Sequence, residues 1–245
     1  MKTRFNPHIS VDCVVFGFDL NELKILLINR DSVEDVKPDK NKIKLPGSLI
    51  IRFEELHQSA HRVLQKYTGL DNIYLKQFGI FDSPGRLSDE EDVTWLKNQT
   101  NVEIQRVITV AYYSLIRLDD SKTTKLSESF NAKWYSATEV PDLMFDHNKI
   151  LEEGIKTLRN ELISQPIGFN LLPEKFTLNQ LQQLYEVVLG VKMDNRNFRK
   201  RAISLKYIEP LNEWQKGLSN KPAKLHSFNR DEYEKFINKN TLFII

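Results

Sequence analysis

Residues 45–70 read LPGSLIIRFEELHQSAHRVLQKYTGL, and the fold of the chain turns on how this stretch is read. Leu45-Pro46-Gly47 opens it, Glu55–Tyr67 has the apolar spacing of a helix, and Gly69-Leu70 closes it. Glu54 precedes the helix and Arg62 lies within it, placed so that the two can pair. His57 and His61 stand four apart, with Glu54 one turn earlier, a spacing that zinc sites use. A zinc-protease helix carries Glu directly after its first His. Gln58 stands there instead, so a solvated helix face is expected and no metal site.

Upstream, Val11–Phe18 and Leu23–Ile28 are short apolar, β-branched runs separated by Asp19-Leu20-Asn21-Glu22, which predicts a hairpin. Downstream, Leu75–Phe81, Val107–Ile116 and Ala132–Tyr135 read as further strands. After Asp146, residues Ile150, Leu151, Ile155, Leu158 and Leu162 recur at helical spacing. Asp31–Lys42 and Ser83–Asn101 read as polar loops without strands, and the acidic cluster Asp89-Glu90-Glu91-Asp92 reads as solvated. The pattern up to this point is mixed α/β.

Composition excludes several classes. Apolar residues make up 40% and charged residues 28%, as in an ordinary globular protein. Cys13 is the only cysteine, so neither a disulfide framework nor a cysteine-based zinc site is available. No apolar run approaches the ~20 residues that span a bilayer, and the first residues lack a cationic stretch followed by an apolar one. A cytoplasmic location is expected. Charge is uneven: residues 165–245 hold 13 Lys/Arg against 8 Asp/Glu, while residues 1–164 hold 22 against 25. A basic C-terminal part following a weakly acidic one points to a polyanion-binding module.

Gln165-Pro166-Ile167-Gly168 breaks the long helix and marks a joint. Beyond it Thr177 caps a helix whose Leu178, Leu181, Leu184, Tyr185, Val188 and Leu189 form one apolar stripe. Gly190 ends it, Val191-Lys192-Met193 turns, and Asp194 caps a second helix over roughly 195–205. Two short helices around a tight, glycine-containing turn are the mark of a helix-turn-helix and of plain helical hairpins alike. Tyr207–Glu209 and Leu225–Phe228 can pair as strands around the polar loop Leu211–Ala223, which would be a wing.

Residues 45–70 resemble the Nudix box: a glycine, five residues, a glutamate, seven residues, then Arg-Glu-apolar-x-Glu-Glu-x-Gly-apolar. Gly47, Glu54, Arg62, Leu64 and Gly69-Leu70 keep the frame, and both histidines then fall on the solvent side. Val63, Lys66 and Tyr67 stand where three glutamates belong, and Ser48 where the first glycine belongs. Nudix hydrolysis needs hard divalent cations held by several carboxylates. Glu54 alone cannot build that site, and Lys66 puts a positive charge where Mg²⁺ would sit. No catalytic residue, metal or cofactor is therefore expected. The alternative is an active Nudix hydrolase of nucleoside diphosphate derivatives, of the ADP-ribose pyrophosphatase type, rescued by acids such as Asp82 or Glu103, with an accessory nucleic-acid-binding domain.

Lys133-Trp134-Tyr135, the run Glu139–His147, and residues 166–201 resemble one family more closely, the Nudix-related transcriptional regulators. These include repressors of NAD metabolism and arabinose- or xylose-responsive regulators of sugar use. The likeness covers nearly the whole chain. It departs at loops 31–42 and 83–101, which are longer than usual for the family. The resemblance implies a Nudix-type α/β/α sandwich with a mixed sheet over residues 1–164, serving effector sensing and dimerisation. A small winged helix-turn-helix over residues 165–245 would bind DNA.

In the second helix of that module, Phe198, Ala202 and Leu205 share one face by angle, at ~100° per residue. Arg196 and Lys200 point the opposite way, flanked by Asn197 and Arg199. A recognition helix needs an apolar back, and a front with Arg or Lys for guanine and Asn for adenine. Arg201, Lys206, Lys216, Lys221 and Lys224 suit phosphate contacts. The expected partners are a second copy of the chain, palindromic operator DNA, and a small effector, either a pentose such as arabinose or an ADP-ribose-like nucleotide. Arg30, Asp82 and Arg106, near predicted strand ends, are the candidate effector-binding groups. An RNA- or protein-binding module is the third reading, but Phe176, Tyr185 and Phe198 fall at core spacing and offer no stacking platform.

Overall fold

A computed structural model describes residues 5–29, 43–71, 73–100, 103–118, 132–215 and 222–238. Its elements are β1 (Phe5–Phe18), β2 (Leu23–Asn29), β3 (Ile43–Lys44), β4 (Gly47–Ile51), α1 (Leu56–Thr68), β5 (Tyr74–Phe81), α2 (Glu90–Thr100), β6 (Ile108–Arg117), β7 (Ala132–Ser136) and α3 (His147–Ser164). After a 3₁₀ turn over Pro166–Leu171 come β8 (Phe176–Thr177), α4 (Leu178–Leu189), α5 (Asn195–Ser204), β9 (Ile208–Trp214), β10 (Lys224–Phe228) and α6 (Arg230–Asn238). The chain divides into two compact units, Met1–Gly17 with Lys24–Lys156, and Phe18–Leu23 with Thr157–Ile245. Among the described residues no helix is long and apolar enough to cross a membrane.

The first unit is built on a seven-stranded sheet with the order β3-β2-β1-β6-β5; β4 also pairs β1, and β7 pairs β2. Alternation along β1 sets the two faces of the sheet. Val11, Cys13 and Val15 pack with Ala60, Val63, Leu64 and Tyr67 of α1 in one core. Val14 faces the other way and meets Gly154 of α3, where an added Cβ would lie 3.1 Å from its side chain. Helices thus cover both faces, as expected for an α/β/α sandwich.

The segment Ser83–Asn101 is not the plain loop that its polarity suggested. It carries a 3₁₀ turn over Pro84–Leu87 and then α2. Val93, Trp95 and Leu96 are too few to form a visible apolar stripe, so periodicity gave no sign of this helix. Glu90, Glu91 and Asp92 occupy its first turn, where carboxylates favour the positive end of the helix dipole. Asp92 is buried and accepts the Phe145 N–H at 2.9 Å, so at least this acid is structural. Loop 31–42 lies outside the described residues.

The second unit carries a three-stranded sheet, β8-β10-β9, beside α4 and α5. β9 and β10 run antiparallel, with Trp214 opposite Lys224 and Phe228 opposite Ile208. Its core is aromatic: Phe169 stacks on Phe228 at 4.3 Å, and Tyr207 sits edge-on to Tyr233 and Phe236 of α6. Phe176, Tyr185 and Phe198 are buried there, as their spacing implied. The chain thus carries a mixed-sheet α/β/α sandwich and, C-terminal to it, two short helices with a three-stranded antiparallel sheet, the elements of a winged helix-turn-helix.

Candidate nucleic-acid interface and effector cavity

The helix-turn-helix is fixed by short-range hydrogen bonds. Thr177 Oγ1 accepts the Gln180 N–H at 3.2 Å while Gln180 Oε1 accepts the Thr177 N–H at 2.8 Å, a reciprocal cap that starts α4. Gly190 ends α4 at φ 70°, a left-handed conformation that other L-residues adopt at a cost. Glu186 then pins the turn: Oε1 accepts the Met193 N–H at 2.9 Å and Gln182 Nε2 at 3.1 Å, and Lys192 Nζ lies 3.3 Å from Oε2. These bonds, the Met193 N–H first, lower the pKa of the Glu186 carboxyl. Asp194 Oδ1 accepts the Asn197 N–H at 2.8 Å and starts α5. The sequence reading found Thr177, Gly190 and Asp194. It missed Glu186 and Gln182, because a polar pair four apart on a helix has no local mark of its tertiary role.

On α5 Phe198 and Ala202 are buried, Leu205 is half-buried at the C-cap, and Arg196, Asn197, Arg199, Lys200 and Arg201 are exposed. Arg199 is held in place, its Nη2 donating to Asn179 Oδ1 on the first turn of α4 at 2.8 Å. Lys206 and Lys224 are exposed as well, while Lys216 and Lys221 lie outside the described residues. The result is a short helix with its apolar side packed and a basic side presented to water.

In the sandwich a cavity of about 300 Å³ is lined by, among others, Asp12, Lys44, Gly47, Lys66, Trp95, Thr109, Phe145 and His147. Asp12 is buried in mid-strand, where Oδ2 accepts Thr109 Oγ1 at 3.0 Å and Oδ1 lies 3.7 Å from His147 Nε2. The approach of β4 is so close that a Cβ at Gly47 would lie 1.8 Å from Asp12 Oδ1, so any larger residue would displace the Asp12 carboxylate. His147 Nδ1 accepts the Leu45 N–H at 3.0 Å, which leaves the ring proton on Nε2, aimed at Asp12. Burial pushes the His147 pKa down to about 4, so the ring is neutral at ordinary pH. Lys44 Nζ donates to the carbonyls of Leu45 and Gly47 at 3.3 Å and stands 5.8 Å from the Trp95 ring. Trp95, Phe145 and His147 form a run of adjacent rings. Arg86 grips Asp146 through two bonds of 2.7 and 2.8 Å and also donates to the Phe81 carbonyl, which anchors the start of α3.

Residues of the degenerate box take two roles. Arg62 clamps Glu54, Nε to Oε1 at 2.7 Å and Nη2 to Oε2 at 2.8 Å, while Oε2 also accepts the Ile51 N–H at 3.0 Å. The bond from Arg62 is the main cause of a lowered Glu54 pKa. Val63 and Tyr67 are buried against the sheet, and Lys66 is exposed with Nζ 5.0 Å from the Tyr67 ring. His57 and His61 are exposed, and His57 lies 3.2 Å from Glu55.

Of the effector candidates, Arg30 lies outside the described residues. Asp82 and Arg106 are brought together, Arg106 Nη2 donating to the Asp82 carbonyl at 3.1 Å, but both are exposed and neither lines the cavity. The groups that do line it share no single motif in the sequence. Asp12 had a visible signal, a carboxylate inside the apolar run Val11–Phe18, and a buried charge demands partners. Lys44 and Thr109 join it through the sheet, and His147 from the start of α3.

Residues 168–228 match the family model of the NrtR DNA-binding winged helix domain. A curated relative, the ADPR responsive transcriptional repressor NtrR of Acinetobacter baylyi, is 28% identical over 233 residues, covering 94% of this chain and 85% of the relative. Among solved structures, Shewanella oneidensis NrtR complexed with a 27mer DNA has a TM-score of 0.71 at 24% identity, covering 92% of this chain and 95% of that one. A second structure of Shewanella oneidensis NrtR also has a TM-score of 0.71, at 25% identity, covering 91% of this chain and 95% of that one. A MutT/nudix family protein from Enterococcus faecalis shares the fold with a TM-score of 0.61 at 20% identity, covering 91% and 88%. With a Nudix-type sandwich in its N-terminal part and a C-terminal part that matches the NrtR winged helix domain, the chain is similar in sequence and fold to the Nudix-related transcriptional regulators.

Proposed function

We propose that this chain is an effector-responsive, sequence-specific transcriptional regulator that binds operator DNA through residues 165–245. In this reading residues 1–164 sense a small metabolite and join two copies, without hydrolysing a substrate. The observation that carries it is α5, a capped helix whose back is buried through Phe198 and Ala202 and whose front is Arg196, Asn197 and Lys200. Those three are the proposed base readers. Arg199, Arg201, Lys206 and Lys224, with Lys216 and Lys221, are the proposed phosphate contacts. Two such helices on a twofold axis fit successive major grooves of a palindrome. A gel shift on the protein's own upstream region, with and without ligand, tests the reading. Sequence-independent binding that no ligand alters would overturn it.

The loss of hydrolysis rests on Glu54. Both its oxygens are engaged by Arg62 and Ile51, and Val63, Lys66 and Tyr67 bring no carboxylate to help it hold a divalent cation. The effector reading rests on the cavity, which has the size of a small ligand site. A carboxylate, an ammonium, a hydroxyl and an imidazole N–H beside aromatic walls suit neutral hydroxyl groups presented on a compact ring, so a pentose such as arabinose is the first candidate. A second reading, an ADP-ribose-like nucleotide, is favoured by Lys66 at the cavity and by the likeness to the ADPR responsive repressor of Acinetobacter baylyi. The effector can shift DNA affinity only by its differential affinity for two states of the dimer.

A further inference from the structure

Ile203 is 65% exposed in the last turn of α5, beside Ala202, which is 2% exposed. At ~100° per residue, positions 196, 200 and 203 fall within ~60° of one another. Their common direction leads away from the side that Phe198 and Ala202 bury. A large branched apolar side chain therefore stands in water on the same face as the cations of Arg196 and Lys200. It adds nothing to the core there, and isoleucine is a poorer helix former than alanine. The floor of the major groove offers one apolar group to such a side chain, the C5-methyl of thymine. Ile203 lies ~4.5 Å along the helix axis from Lys200, at 1.5 Å per residue, which is on the order of one base-pair step.

We propose that Ile203 is a specificity-determining residue that packs on the C5-methyl group of a thymine, fixing a T·A pair next to those read by Arg196 and Lys200. This rests on the reading of α5 as the recognition helix. The test uses the full chain to select duplexes from a random-sequence library. Each thymine of the selected duplex is then replaced in turn by deoxyuridine, which removes only the methyl group. At one thymine, or one symmetric pair, the replacement is expected to weaken wild-type binding about fourfold, the worth of one buried methyl. Ile203→Ala should bind the thymine and deoxyuridine duplexes alike. Ile203→Val, which keeps a branched apolar surface, should retain methyl sensitivity. If the wild type selects a sequence yet tolerates every deoxyuridine, or Ile203→Ala keeps the full methyl sensitivity, the inference fails while the DNA-binding reading stands. If the wild type selects no sequence, that reading fails and the inference falls with it.

Discussion

Arg196, Asn197 and Lys200 are separated by chemistry from the lysines of the wing, and their substitutions should differ in kind. Replacing one of the three by Ala is expected to cost about 1–3 kcal/mol on the cognate duplex and to relax preference at one base pair. Lys224→Ala should weaken cognate and scrambled duplexes about equally and flatten the salt dependence by about one unit, because an ammonium near a phosphate acts as a point charge. Affinities on both duplexes across a salt series decide it; parallel losses would contradict the assignment. In the other unit, His147 ties stability to pH. Its pKa is about 4 in the fold against 6.5 when free, because burial opposes the charged ring. As pH falls below 6.5 the unfolded chain takes up a proton that the folded chain refuses, so stability falls with pH down to about 4. The loss totals on the order of 3 kcal/mol and is complete below that pH. Urea midpoints of the wild type and His147→Gln, followed from neutral pH to about 4, should diverge by this amount; equal slopes would refute it.

Elements in this protein begin and end on identifiable residues, and that makes them testable. Asp194→Ala removes the acceptor for the Asn197 N–H and should cost about 1 kcal/mol, whereas Asp194→Asn should cost little. Gly190→Ala forces a side chain onto a φ of 70°, at a further 1–2 kcal/mol or so. Thermal melts of the full chain, read with DNA binding, check both, since α5 depends on this turn for its position. The segment between β4 and α1 makes the opposite point about chemistry. Glu54 there is a structural clamp for Arg62, so Glu54→Ala should lower stability by about 1–3 kcal/mol. It should leave Mg²⁺-dependent ADP-ribose turnover unchanged at background. Turnover by the wild type well above the Glu54→Ala control would show that the box still works as an enzyme.

At the scale of the whole molecule, two copies, one effector and one operator must be coupled. Light scattering is expected to give twice the 28.7 kDa chain mass, because a single winged helix rarely binds tightly enough alone. Calorimetry with arabinose and with ADP-ribose should give heat with one of them. Asp12→Asn, which breaks the match to a donor at the cavity floor, should abolish that heat while operator binding persists. Whichever ligand binds, linkage requires that operator DNA change its affinity by the same factor by which the ligand changes DNA affinity. A monomer both with and without DNA would remove the basis for a palindromic site.

The strands around Asp19–Glu22, the helix after Glu54, and both caps of the helix-turn-helix were legible because each is written in contiguous residues, through periodicity, a turn or a cap. So was the loss of the box glutamates, which needs only the identities of Val63, Lys66 and Tyr67. α2 was not legible, since its short apolar content yields no stripe and its position rests on Asp92 reaching the Phe145 backbone 53 residues away. The cavity was not legible either. Asp12, Lys44, Thr109 and His147 lie on four elements, brought to one place by sheet pairing, by the close approach at Gly47 and by the Leu45 N–H bond to His147 at the start of α3. Local order follows from neighbours in the chain, so the sequence alone determined α1, α3, α4 and α5 and the basic front of α5. A polar site is made by groups far apart in sequence that must satisfy one another once buried, and that only the tertiary structure decided.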